Sequence, residues 1–259
     1  CNTSQPAEHL TIEEDGKMLG RAALFTKTYV TEIGSFTATQ VTDLLVKPNV
    51  ANPAIMITLV KNYTKLEPDF SFNTSNEKSD LIYRRLFKLE KVIEMVNLAV
   101  PLRTSRFLKD RLGPFSAPVA WVADAVLSSC WLVVEWILEA LSGLESATRD
   151  SPCANQQFFD DFREACPRQI LRSPEFMRER YEQSIFEYRF IHITNTGKMI
   201  AQAPIRVAEF SGIRALVVLD VLSSEKLGSN IRRSLMKELL KQARQTKSDL
   251  IYWLQNDNC

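Results

Sequence analysis

The chain has 259 residues, 45% apolar and 24% charged, a soluble globular composition long enough for one large domain or two of ordinary size. Its 32 Lys and Arg nearly balance 31 Asp and Glu, so no global field draws it to nucleic acid or to an anionic surface, and a partner must be recognised locally. Five cysteines without a Cys-x-x-Cys pair, and only two histidines (His9 and His192), argue against a zinc site or a disulfide framework and point to a reducing cytoplasm. Cys1 followed by Asn-Thr-Ser-Gln-Pro also allows a lipoprotein's mature end, with a trimmed chain as the simpler reading.

In chain order, Asp15-Gly16 predicts a turn that opens an apolar strand through Phe25, and Gly34 a second turn. A β-rich run over 36–46, a helix over 51–66 and a short strand over 68–73 follow. Residues 73–87 read as a polar loop running into a short helix that carries Tyr83, and 89–102 as a helix start and a strand pair. The stretch 117–141 is long enough to span a membrane, but Asp124, Glu135 and Glu139 interrupt it and Pro118 stands near its start. A buried helix pair or an interfacial helix fits it better than a true span. Residues 155–190 read as helical.

From Thr196 the pattern of the N-terminal part returns. Gly16-Lys17-Met18 reappears as Gly197-Lys198-Met199, followed by Gly212, a strand over 214–222, an amphipathic helix over 227–245 and a strand over 248–256. Lys17 and Lys198 lie 181 residues apart, Asp43 and Asp220 lie 177 apart, and Asp69 and Asp249 lie 180 apart. Two copies of one hairpin, strand, helix, strand unit account for this. Each would hold a parallel pair in a mixed sheet. The expected division is a first unit over 1–102, an apolar helical linker over 103–155 and a second unit over 156–259. The copies are cut short at opposite ends, so the chain reads as a fragment or as having lost disordered ends; a domain-swapped arrangement is the second explanation.

With that order in view, the sequence resembles the GNAT superfamily of acetyl-CoA-dependent N-acyltransferases, present twice, over about 12–102 and 156–258. The closest motif match is Asn76, Ser79, Tyr83 and Leu86-Phe87, with Phe87 where the superfamily usually has a glycine. The resemblance implies an α/β (α+β) fold of two GNAT-like units with mixed, mostly antiparallel sheets flanked by helices. It implies a splayed sheet whose fourth strand, ending here at Leu45 and Val46, pairs with the pantetheine arm of acetyl-CoA or another acyl-CoA. Asn76 would contact that arm and Tyr83 would protonate the departing thiolate. Acyl transfer to an amine also needs the amine's proton removed, a task for Asp43 in the central strand, or for Asp220 in the second copy.

The superfamily's pyrophosphate loop carries glycines that free backbone N–H groups at a helix start. In the first copy the corresponding segment, 46–56, has no glycine, and Pro48 and Pro53 remove two donors. In the second copy Leu227, Gly228, Ser229 and Asn230 offer a cradle, with Lys226, Arg232 and Arg233 nearby. The expected activity is acyl transfer, acetyl first, from acyl-CoA to a small-molecule or sugar amine. The alternatives are a catalytically degenerate GNAT-like binding protein and a FemABX-like aminoacyl transferase. No nucleic-acid partner is expected. Peripheral membrane contact through 117–141 and a homodimer stay open.

Overall fold

The computed structural model describes residues 8–47, 53–63, 69–73, 84–85, 95–105, 108 and 116–256. The chain divides into two compact units, Cys1–Val92 with Pro167–Arg172, and Ile93–Cys166 with Ser173–Cys259.

In the first unit, strands β1 (Glu8–Glu14), β2 (Lys17–Thr31), β3 (Gly34–Val46) and β4 (Phe70–Asn73) lie in that order in one sheet. The turn between β1 and β2 puts both Asp15 and Gly16 at positive φ, 50° and 70°. That geometry matches the right-handed twist of the flanking strands and suits an Asp-Gly pair. Helix α1 (Pro53–Tyr63) carries the chain from β3 to β4, so these two strands run parallel. Ile55, Leu59 and Val60 of α1 are buried against Ala22, Leu24 and Val41. Gly20 permits this approach, because a Cβ there would meet Ile55 Cγ2 at 2.7 Å and Leu59 Cδ1 at 3.0 Å.

The second unit holds the larger sheet, in the order β5 (Met95–Pro101), β12 (Leu250–Asn256), β10 (Ile213–Val218), β9 (Lys198–Phe210), β8 (Arg189–Asn195) and β6 (Glu145–Arg149). A two-residue β11 (Leu222–Ser223) sits beside β9, whereas the two-residue β7 (Gln169–Ile170) belongs to the first unit and pairs with β2 there. Helix α5 (Ser229–Gln245) is the crossover between the parallel strands β10 and β12. Its apolar stripe, Ile231, Leu235, Leu239 and Ala243, packs on Ile191, Ala203, Leu216 and Ile251. A second stripe at the same four-residue spacing is polar and equally buried: Ser234, Glu238 and Gln242. Glu238 accepts hydrogen bonds from Thr148 Oγ1 at 2.8 Å and Gln242 Nε2 at 3.0 Å, and Gln242 Oε1 accepts one from Arg189 at 2.7 Å. The buried carboxylate is thereby satisfied, as an apolar interior requires.

The opposite face of this sheet buries Phe190 and Leu222 under Phe158 and Phe159 of α3 (Gln156–Ala165), Met177 of α4 (Pro174–Met177) and Tyr181 in the π-helical turn that follows. Asn155 caps α3 by accepting from Gln157 N at 3.0 Å, and Ser173 caps α4 by accepting from Phe176 N at 3.1 Å.

Three elements differ from the sequence expectations. The strand at 95–101 lies in the second unit's sheet, where it pairs antiparallel with β12 over seven residues from Pro101↔Leu250 to Met95↔Asn256. Helical periodicity over 155–190 is broken by Pro167 and Pro174, so the stretch gives α3, the β7 bridge and α4. The segment 117–141 is neither a buried pair nor core: it is one continuous helix, α2 (Ser116–Leu141), that leaves much of its surface bare. A single helix forms because neither Pro118, near its first turn, nor any glycine interrupts it.

One contact recurs in both units. Asp249 Oδ2 accepts from Arg214 N at 2.9 Å, and Asp69 Oδ2 accepts from Thr37 N at 2.6 Å. Each carboxylate stands just before one strand of the parallel pair and satisfies a backbone donor at the start of the other. Asp249 is 3% exposed, whereas Asp69 is exposed. Asp249→Ala should therefore cost about 1–3 kcal/mol in urea unfolding, and Asp69→Ala distinctly less; equal losses would sink the burial argument.

His192 on β8 has a buried Nε2 with no hydrogen-bond partner among the described residues. Burial, and then the nearby Arg149 charge, push its pKa down to about 4 from 6.5. Between those values the unfolded chain binds a proton that the folded chain refuses, so stability falls as pH drops through the window. Thermal melts of wild type and His192→Gln from pH 7 to 4 should diverge, with the variant losing less; parallel curves would contradict it.

Candidate functional site

β10 and β12 stay side by side for four pairs, from Ala215↔Leu250 to Val218↔Trp253. Then they part. β12 continues with β5, pairing Leu254↔Asn97, Gln255↔Val96 and Asn256↔Met95. The other strand follows β9 instead: Leu219 N donates to Pro204 O at 3.0 Å, and β11 pairs Leu222↔Gln202. Among the described residues no strand fills the gap between 219–221 and 254–256. A gap of this kind between two diverging strands is wide enough in principle for an extended chain to lie along their edges.

The loop that leaves the gap is pinned before it reaches α5. Ser224 N donates to Ile200 O at 2.9 Å, and Ser223 Oγ donates to Glu225 O at 2.7 Å. The loop ends in a tight turn, Gly228 N to Lys226 O at 2.6 Å. Gly228 is the cap residue of α5, with φ −74° and ψ 171°, and no side chain caps the helix. No acid stands in the first turn either. The N–H groups of Ser229 and Asn230, at exposed positions, therefore sit at the positive end of a 17-residue helix without a built-in anion. A Cβ at Gly228 would meet nothing nearer than Lys226 O at 3.7 Å. The backbone at Gly228 is thus not crowded, which fits a phosphate approaching it.

The structure thus brings together Leu227, Gly228, Ser229 and Asn230. Asp220 lies where β10 turns away, and its Oδ1 accepts from Val221 N at 3.0 Å, so it serves the local turn. In the first unit β3 and β4 also pair over four residues, Ala38↔Phe70 to Val41↔Asn73. Leu45 and Val46 pair on β3's other side with Arg21 and Gly20 of β2, and Leu45 is 62% exposed. The backbone of Asp43 runs within β3, but its side chain, and all of Asn76, Ser79 and Tyr83, lie outside the described residues. The role of Pro204 was missed in the sequence. A proline inside a strand is the signal that marks such an irregularity.

No protein-family model matches the sequence, and no curated protein does. Solved structures do match. A probable N-acyltransferase from Enterococcus faecalis V583 superposes with a TM-score of 0.56 at 9% identity, over 96% of this chain and 55% of that one. The N-myristoyltransferase of Saccharomyces cerevisiae, solved with myristoyl-CoA, gives 0.58 at 10% identity over 94% and 62%. The chain has the GNAT fold. A GCN5-related N-acetyltransferase from Anabaena variabilis ATCC 29413 gives 0.54 at 10% identity over 96% and 56%. The chain spans 55–62% of the length of these three proteins.

Gly228→Val tests the cradle. Replacing a glycine cap by valine costs the helix about 1 kcal/mol, and the open surroundings add no clash. The expected result is a folded variant whose affinity for coenzyme A drops about ten-fold or more, roughly the 1.4 kcal/mol of one weakened charge-assisted contact. Unchanged affinity would remove the site.

Proposed function

We propose that this protein is an N-acyltransferase that moves an acyl group, acetyl in the first instance, from acyl-CoA to an amine of a small molecule or sugar. The observation that supports it best is the gap between β10 and β12, which leads to the uncapped start of α5. The backbone beside the gap, at 219–221, would hold the pantetheine arm, and Gly228, Ser229 and Asn230 would hold the pyrophosphate. Acyl-CoA brings a thioester, already activated toward attack by an amine.

What remains for the protein is to place the neutral amine, to stabilise the tetrahedral oxyanion and to give the thiolate a proton. In the first unit the spacing Asn76, Ser79, Tyr83 supports Tyr83 as the proton donor, with Asp43 accepting the amine's proton. Among the described residues Cys130, Cys153 and Cys166 form no disulfide, which accords with a cytoplasmic setting. A second reading, a GNAT-fold protein that binds without turnover, is favoured by one feature: the first copy's loop lacks any glycine and contains Pro48 and Pro53.

Isothermal titration with acetyl-CoA, a longer acyl-CoA and dephospho-coenzyme A separates the two readings. Transfer predicts micromolar binding, largely kept by the dephospho form, which retains the pyrophosphate and the pantetheine arm. It also predicts that Tyr83→Phe cuts turnover about ten-fold or more at nearly unchanged affinity, since only proton donation in the transition state is lost. No binding of either acyl-CoA to the folded protein would sink both the transfer and the site.

A further inference from the structure

Helix α2 keeps its three acids on one side. Asp124 accepts from Thr104 Oγ1 at 2.7 Å and Ser105 N at 3.2 Å, Glu139 pairs with Lys237 of α5 at 3.1 Å, and Glu135 pairs with Arg244 of α5. Trp131, on the same side, donates its indole N–H to Pro101 O at 3.0 Å. The other side carries no charge. Val122, Val126 and Val133 stand on it, and Trp121, Leu132 and Trp136 lie along the flank between it and the acids; Trp121 is 74% exposed and Trp136 73%, with the four aliphatic residues between 54% and 59%.

At 100° per residue Trp121, Leu132 and Trp136 fall within about 60° of one another, and the two tryptophans stand about 22 Å apart along the axis. These two indoles alone expose roughly 300 Å² or more, and the aliphatic residues carry the patch beyond what a monomer ordinarily leaves bare. Segment Ala117–Leu141 is apolar and long enough to span a bilayer. Crossing one, however, would carry the Glu135 and Glu139 ion pairs, and α5 with them, into lipid. The helix is built to lie flat.

The border of the patch says on what. A cleft of about 270 Å³ opens beside it, lined by Trp131 and Leu132 of α2, Leu240 and Ala243 of α5, and two guanidinium groups, Arg103 and Arg244. Leu132 belongs to both the cleft and the bare face. Arg244 is already paired with Glu135, which leaves the Arg103 guanidinium as the cation at the rim of an apolar face with outward tryptophans; that pattern complements an anionic phospholipid, phosphate to arginine and acyl chain to indole. We propose that this face of α2 rests on an anionic lipid bilayer, with Arg103 at the phosphate level.

The test is co-sedimentation of the whole chain with vesicles of phosphatidylcholine alone, and with about one third phosphatidylglycerol. Expected are pelleting with the anionic vesicles, quenching of indole fluorescence by brominated lipid, and loss of most of the binding in about 0.5 M salt, where screening is short-ranged. The Trp121→Ser/Trp136→Ser double variant should partition about ten-fold less. A second variant, Arg103→Glu, should lose the preference for anionic lipid with its circular dichroism unchanged. Protein left in the supernatant with both vesicle types overturns the proposal. So does a dimer in light scattering that the double variant dissociates while vesicles fail to bind, because the face would then belong to a second copy. These residues are distinct from Gly228, Ser229 and Asn230, so acyl-CoA titration and lipid binding fail or succeed independently.

Discussion

A parallel pair only four residues long governs the second unit. β10 and β12 cannot be joined by a tight turn, so a helix must carry the chain across the sheet. That helix, α5, supplies most of the apolar surface over the sheet. At one end of the pair Asp249 fixes the register through Arg214 N. At the other, Leu219 N turns to Pro204 O and the pairing stops. The same divergence that ends the ladder opens a gap between 219–221 and 254–256 that no described strand fills, and the chain leaving it runs on to the start of α5, where the helix field favours an anion. Fold and candidate site therefore share one cause.

Much of this was legible in the residues. Asp15-Gly16 and Thr196-Gly197 announce hairpin turns, because left-handed backbone at both positions leaves few residue choices. The crossover helices and the parallel strands follow from periodicity and from the spacing of Asp69 and Asp249, whose matching hydrogen bonds explain why an aspartate stands at each place. The cradle at Gly228 was legible as a helix start, but not the divergence in front of it, which depends on a carbonyl of Pro204 fourteen residues before Val218 in the chain. The placement of β5 was not legible either. Its residues, Met-Val-Asn-Leu-Ala-Val-Pro, describe a strand without naming the sheet it joins. Partner choice lies in the match of edges in three dimensions, which alternation along a strand does not encode.

α2 shows how composition misleads when the side chains' directions are ignored. Three acids in 26 residues argue for a helix divided between protein and water. Their positions put all of them against α5 or the 104–105 turn, so the charges strengthen one contact and vacate the opposite face. Buried polar groups on α5 follow a similar economy. Glu238 and Gln242 join α5 to β6 and to Arg189 through satisfied bonds, while the adjacent stripe stays wholly apolar.

The pairing of β5 with β12 has a consequence for the order in which the chain is made. Pro101 and its partner Leu250 are 149 residues apart, so a ribosome adding about 5–20 residues per second releases the second strand roughly 10–30 s after the first. During that interval β5 has no ladder to join, although the first unit's strands β1 to β4 have already emerged. When β12 appears it closes the sheet from both sides at once, against β10 and against the waiting β5. Closure of so long a loop is slow, which makes the second unit the later to mature and the one that a nascent-chain chaperone has most reason to shield.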